Sequence, residues 1–223
     1  MAGGMILMGG LLLMMPVSAA MVLHGITQMT ANGWRALMWR KHVQWDIVAR
    51  YCGGLAVAAL VFAAWKFEPD ERLVLLALGL LPLASLALPQ RRSLQIVDFG
   101  RAEVAGLVCT GTQLISGVSG PLLDMFFVRT EMDRRAVVAT KAACQVVTHL
   151  TKSAYFALLF AGALSGELTL PILATAITLA IAGTWLSRSV LERLTDASFR
   201  RIGSLIVGCI GVVYVVRGLM AYT

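Results

Sequence analysis

Residues 141–152 read KAACQVVTHLTK, with RRAVVAT (134–140) before them and SAYFALLFAGAL (153–164) after. Two lysines, a glutamine, a histidine and two threonines thus sit inside a strongly apolar stretch. In water this is an ordinary amphipathic helix, polar on one face and apolar on the other. In a bilayer each ionisable group at depth costs at least a few kcal/mol, so the same run marks a place of use. The solvent in which the chain folds decides between the two.

Composition answers in favour of the membrane. The chain has 223 residues, 58% hydrophobic and 14% charged, with a mean hydropathy of +0.79. Soluble domains carry about 25% charged residues. Apolar runs from Ile47 to Trp65, Leu73 to Leu88, Leu170 to Leu186 and Ile202 to Leu219 approach the ~20 residues that cross a bilayer. They are continuous and do not alternate, which points to helices and away from a β-barrel. Arg50 lies within the first run, where a long side chain can snorkel to the interface. The pattern predicts an all-α, polytopic, multi-pass integral membrane protein with membrane lipid as its surroundings.

The net charge of +7 does not imply nucleic acid. The basic residues gather between apolar runs, at Arg35, Arg40 and Lys41, at Arg91 and Arg92, at Arg134 and Arg135, and at Arg188, Arg193, Arg200 and Arg201. That is where cytoplasmic loops keep their positive charge, and no soluble domain is left to bind DNA. The four cysteines, Cys52, Cys109, Cys144 and Cys209, each stand alone without a CxxC pair, so small buried hydrophobes are expected, with no disulfide, metal site or cofactor. No glycine loop ending in GK[ST] is present, so ATP does not drive this chain. The opening MAGGMILMGGLLLMMPVSAA lacks the charged start of a signal peptide.

A repeat explains that opening better. At a shift of 117 residues Gly3 falls on Gly120, His24 on Lys141, Gln28 on Gln145, Asn32 on His149 and Arg35 on Lys152. Two halves follow, 1–100 and 101–223, with about seven or eight membrane segments in all. The second half carries AEVAGLVCTGTQLIS (102–116) ahead of its glycine-rich break. The first has almost nothing ahead of Gly3, so a further apolar half-helix before Met1 is expected. If 101–129 is re-entrant, every basic loop lies on one side and the halves are inverted, a recurring transporter feature. If it crosses, the halves run parallel.

Lys141, Gln145, His149 and Lys152 are spaced four, four and three, which places them on one helix face. Gln28, Asn32 and Arg35 repeat the pattern, with His24 one turn before. Two such stripes facing one another would line a slot rich in N–H donors, with Asp124 the one nearby carboxylate. The guest such a slot suits is a small anion. The breaks SGVSGP (116–121) and AGG (2–4) fit the same guest, because a half-helix N-terminus offers free N–H groups and Ser119 and Gly120 lie at that point. Each residue also has a plainer use. Lys152, Arg35 and Lys141 can anchor at the interface, the glutamines and glycines can hold helices together, and His149 can be structural. Asp124 and His149 are candidates for a proton relay, and Asp124 equally for an ion pair with Lys141 or Arg129. Tyr155, Trp34, Trp39 and Trp45 suit an interface belt.

ISGVSGPLLDMFFVRTEMDRRAVVATKAACQVVTHLTKSAYF (115–156) resembles the second-half signature of the sulfite exporter TauE/SafE family, also called the toluene-sulfonate uptake permease family. MAGGMILMGGLLLMMPVSAAMVLHGITQMTANGWR (1–35) resembles its first-half signature. The resemblance implies two duplicated halves, about eight membrane segments and transport of small sulfur-containing or organic anions. The expected function is secondary transport, export ahead of import, of sulfite, a sulfonate or a carboxylate across a bacterial-type inner membrane, with proton coupling and a homo-oligomer both compatible. The expected substrate-binding residues are Gln28, Asn32, Arg35, Ser119, Gly120, Lys141, Gln145, His149 and Lys152. An anion channel or a non-transporting scaffold is the alternative. An intramembrane hydrolase using Ser119 and His149 is disfavoured by the lack of GxSxG and of an orienting acid, so no catalytic residue is expected.

Overall fold

The computed structural model describes residues 2–87, 95–127, 130–164, 166–191 and 196–221. Among them are nine α-helices and no strand: α1 (Ala2–Leu11), α2 (Val17–Met38), α3 (Trp45–Trp65), α4 (Glu71–Ala87), α5 (Arg101–Ser116), α6 (Gly120–Phe127), α7 (Arg134–Leu159), α8 (Leu170–Leu191) and α9 (Asp196–Met220). The basic positions Arg91, Arg92, Arg129 and Arg193 lie outside the described residues, as do the side chains of Arg188, Arg200 and Arg201. The helix starts follow local chemistry. Pro16 precedes α2, and Pro121 and Pro171 occupy the first turns of α6 and α8, where a missing N–H costs nothing. Asp133 caps α7 by accepting from the Arg135 N–H at 2.9 Å. The four apolar runs of the sequence fall in α3, α4, α8 and α9, apart from Leu88, which lies outside the described residues. Of the described helices, α3 and residues 202–220 of α9 are long and apolar enough to cross a membrane.

Cross-helix bonds give the direction of each element. Thr140 accepts from the Gln44 N–H (2.9 Å), Tyr51 bonds Thr148 (2.8 Å) and Tyr155 donates to the Phe62 carbonyl (3.1 Å), so numbers rise together and α3 runs parallel to α7. Lys152 meets His24 and Ser153 meets Val22, while Val146 lies beside Gly33, so α2 runs antiparallel to α7. Asp124 meets Lys141 and Ser119 meets Gln145, so α6 is also antiparallel to α7. The α5 helix parallels α3, with Gly106 against Tyr51 and Gly111 against Phe62. It follows that α5 ascends and α6 descends. The Ile96 N–H to Phe126 carbonyl bond (2.9 Å) ties the two ends of this hairpin together at one side. The 101–127 segment is therefore a helical hairpin that enters and leaves at one end of the bundle. The connections around Arg40 and Lys41, Arg101, and Arg134 and Arg135 lie at the same end of the bundle. Glu68, Asp70, Glu71 and Glu167 lie at the other.

The packing pattern is symmetric in outline. The most extensive contacts are α2 with α7, α3 with α5 and α4 with α9. α2 also packs on α8 as α3 does on α7, and α1 packs on α9 as α6 does on α4. Both α2 and α7 begin at matching positions of the 117-residue register, 17 and 134. On one side of the α2–α7 pair, α5 fills the space beside α3. On the other, a groove opens between α1, α2 and α8, lined by residues such as Leu11, Leu23, Ile172 and Leu179. Small residues set the closest crossings. An added Cβ on Gly79 would stand 2.5 Å from the Gly211 carbonyl oxygen, so α4 and α9 touch backbone to backbone. Large apolar side chains such as Leu60, Trp65, Leu158, Leu179 and Trp185 point outward, as lipid contact requires. Tyr155 does not join an exposed belt: it is 6% exposed, and its hydroxyl donates to the Phe62 and Phe67 carbonyls, holding the α3–α4 connection onto α7.

Candidate substrate site

The polar face of α7 is fully accounted for by partners. Thr148 and Thr151 donate to the carbonyls one turn back, Cys144 (2.8 Å) and Val147 (2.9 Å), the usual solution for a hydroxyl without water. Lys141 pairs with Asp124 on α6. The second carboxylate oxygen of Asp124 is buried without a partner. Gln145, His149 and Lys152 turn toward the point where the chain breaks between α5 and α6.

At that break Gly117 adopts φ 79°, a left-handed conformation that glycine takes without strain. A Cβ there would also meet the Met8 and Met21 sulfurs at 3.0 Å. The turn points the N-terminus of α6, with Ser119 and Gly120, into the bundle. Around it lies a chain of buried polar groups. Gln145 Nε2 lies 3.4 Å from Ser119 Oγ, Ser119 donates to Gln113 Oε1 (2.6 Å), and Gln113 Nε2 lies 2.6 Å from His149 Nδ1. Gln113, Ser119, Gln145 and His149 are each buried, with Gln113 at 0% exposure. No carboxylate takes part in this chain of contacts. The first half contributes in a reduced form. Gln28 packs against Gly4 near the start of α1. Asn32 donates to the Gln28 carbonyl and accepts from Arg35, each at 2.9 Å, so those two hold one another along α2.

One contact crosses the whole arrangement. Lys152, 0% exposed, donates to the Gly117 carbonyl (3.1 Å) and lies 2.9 Å from His24 Nδ1. His24 Nε2 lies 2.9 Å from the Gly4 carbonyl oxygen. The His24 and His149 rings are 5.6 Å apart. The α5–α6 break and the first turn of α1 are thus tied together through one lysine and one histidine.

Of the nine residues singled out in the sequence, Ser119, Gln145, His149 and Lys152 converge at the break, with Gly120 beside them. Gln28 lies against α1, Asn32 and Arg35 pair with one another, and Lys141 stands further along α7 in an ion pair. Two members of the cluster were not placed in it by the sequence. Gln113 carries a signal of its own, a lone amide in an apolar helix six residues before Ser119. His24 was visible in the repeat register, opposite Lys141, but its contact with Lys152 arises between helices distant in sequence.

A helical bundle with a broken helical hairpin at mid-chain and a buried, donor-rich cluster at that break is a recurring arrangement in membrane transporters. The Sulfite exporter TauE/SafE family profile matches residues 1–214, and the chain belongs to that family of integral membrane transporters. Comparison with curated proteins and with solved structures gives no match.

Proposed function

We propose that this protein is a secondary transporter of a small oxyanion, with export of sulfite, a sulfonate or a short carboxylate as its direction and substrate class. It works in the cytoplasmic membrane with its basic end toward the cytoplasm. The observation that carries this reading is the α5–α6 break. Ser119, Gln113, Gln145, His149 and the α6 N-terminus gather donors at one buried point with no carboxylate among them. Free helical N–H groups and a positive dipole end favour an anion there. Gln28, Asn32 and Arg35 are the first half's candidates for contact with the anion as it moves, with Lys141 and Asp124 at the basic end. The matched starts of α2 and α7, and their antiparallel contact, support two inverted repeats, 1–100 and 101–223. The halves rock about the α2–α7 pair to expose the site to each side in turn. Full burial of Lys152 and His149 favours a carrier with an occluded site over a channel.

Counterflow in proteoliposomes tests the reading, with sulfite, sulfate, methanesulfonate and acetate as probes. Wild type is expected to exchange at least one of them, and Gln145→Ala and Gln113→Leu are expected to lose most of that exchange while eluting as folded protein. Exchange of none by wild type, or normal exchange by both variants, would refute it.

A further inference from the structure

The Lys152–His24 contact joins the two halves and does a different job from the donors around Ser119. The carbonyl of Gly4 can only accept, so His24 Nε2 carries a proton and donates to it. A neutral ring then has a bare Nδ1, which accepts from Lys152. A proton on both Nζ and Nδ1 would set two cations against each other at 2.9 Å. The axis between the two nitrogens therefore holds at most one excess proton. When that proton is present, its charge has no buried counter-ion among the described residues. The ionisable side chains beside His24 are Lys152, at 2.9 Å, and His149, whose ring centre lies 5.6 Å away.

Among the described side chains the packed elements supply no acid to the dyad either. Glu68, ahead of α4, accepts from Ser18 in the first turn of α2 and is exposed. The described part of α1 and the described side chains of α8 carry no titratable group. On α3, Tyr51 is taken by Thr148, and Asp46 pairs with Arg50 at the basic end. On α5, Glu103 stands at the end of the helix opposite Gln113. On α6, Asp124 is taken by Lys141. A lone cation in a dry interior is costly, and an anion at the neighbouring break would offset that cost.

We propose that Lys152 and His24 form a proton-binding site that loads one proton with each anion, so that proton and anion cross together. The inference rests on the transport reading above. The proton comes from water on the side where the anion binds, forms one N–H bond on the Nζ–Nδ1 axis, and returns to water on the other side. Without the proton the dyad is neutral and needs no anion. With it, the anion at Ser119, Gln145 and Gln113 is stabilised by the charge behind it. Each ligand raises the affinity for the other by the same factor. Proton and anion then cross in step. A monovalent anion moves with no net charge, and a divalent one moves as a single negative charge, so export is driven by the anion's own outward gradient and, for a divalent anion, by an interior-negative membrane potential.

Two experiments decide it. The first needs no substrate. In detergent, potentiometric titration of wild type and Lys152→Met is expected to differ by one proton across the neutral range. His24→Gln, which keeps an acceptor toward Lys152 and a donor toward Gly4, is expected to shift that proton's titration rather than abolish it. Identical titrations of wild type and Lys152→Met would overturn the proposal. The second measures counterflow and proton arrival in the vesicle lumen with sulfate and methanesulfonate, which hold no exchangeable proton near neutrality. Wild-type affinity should rise about tenfold per unit fall in pH above the dyad's titration, one proton per anion, and Lys152→Met should flatten that slope. Transport that carries no proton, or a slope retained in Lys152→Met, overturns the dyad and leaves the transport reading standing. Wild type that moves none of the probes refutes the transport reading, and the titration still decides the dyad.

Discussion

Replacing Gly106 by alanine tests the link between helix packing and the site. The added Cβ would stand 2.0 Å from the Tyr51 carbonyl oxygen and 2.9 Å from the Leu55 nitrogen. An ordinary carbon–oxygen contact is about 3.3 Å, so α5 must withdraw from α3 by about 1.3 Å. Both obstructing atoms are backbone, and no rotamer can relieve them. The reciprocal contact is as tight, with a Cβ on Gly54 at 1.8 Å from the Glu103 carbonyl oxygen. Overpacking of this kind costs about 1–3 kcal/mol, and the backbone clash places it in the upper part of that range. For a chain of this size the loss lowers the unfolding temperature by roughly 4–12 °C.

The same displacement reaches Gln113, about two turns further along α5. A shift of that size stretches its 2.6 Å contacts with His149 and Ser119 beyond hydrogen-bonding range. Anion exchange should fall by about 10–100-fold, the scale of a 1 Å misplacement. Gly53→Ala is the control, because nothing lies within 4 Å of its added Cβ. It should be neutral or stabilising by up to about 1 kcal/mol. Tryptophan-fluorescence melting in detergent and counterflow in proteoliposomes read the two effects. Melting of Gly106→Ala alongside Gly53→Ala, with exchange intact, would show that the α3–α5 crossing does not position the site.

Other changes separate neighbouring contributions. Gly25→Ala drives a Cβ to 2.1 Å from Ser153 Oγ at the α2–α7 crossing. It should lower the melting temperature by several degrees, and adding Ser153→Ala should restore part of the loss. Asp124→Asn and Lys141→Met each leave a partly buried charge alone and should cost about 1–3 kcal/mol. The double variant should lose less than the two singles together, as a double-mutant cycle on melting temperatures would read. Tyr51→Phe removes the 2.8 Å buried bond to Thr148 and should cost about 1 kcal/mol. Tyr155→Phe should loosen the α3–α4 connection, seen as faster proteolysis near residues 66–70 without loss of the rest of the fold.

The helices were legible because apolar runs of membrane length leave little choice of structure, and the runs predicted around Ile47, Leu73, Leu170 and Ile202 lie within α3, α4, α8 and α9. The stripe Gln145, His149, Lys152 was legible for the same reason, since polar groups at helical spacing in such a run stand out. Less legible was what the stripe faces. Basic loops gave two topologies, and the Ile96–Phe126 bond and the opposed directions of α5 and α6, which favour the re-entrant one, are encoded by no local pattern. Lys141 and Lys152 have the same chemistry in sequence. The fold gives one a carboxylate and partial exposure, and gives the other a histidine, a carbonyl and no exposure at all.

That difference divides the labour along α7. A lysine held by Asp124 has its charge compensated, so it can steer anions at the basic end without depending on them. A lysine with no acid in reach gains from the substrate itself. It can stay charged at membrane depth chiefly when an anion is present, which turns an expensive burial into a sensor of loading. The polar run at 141–152 is therefore two devices on one helix face. One is settled within the protein, and the other is left to be completed by what the protein carries.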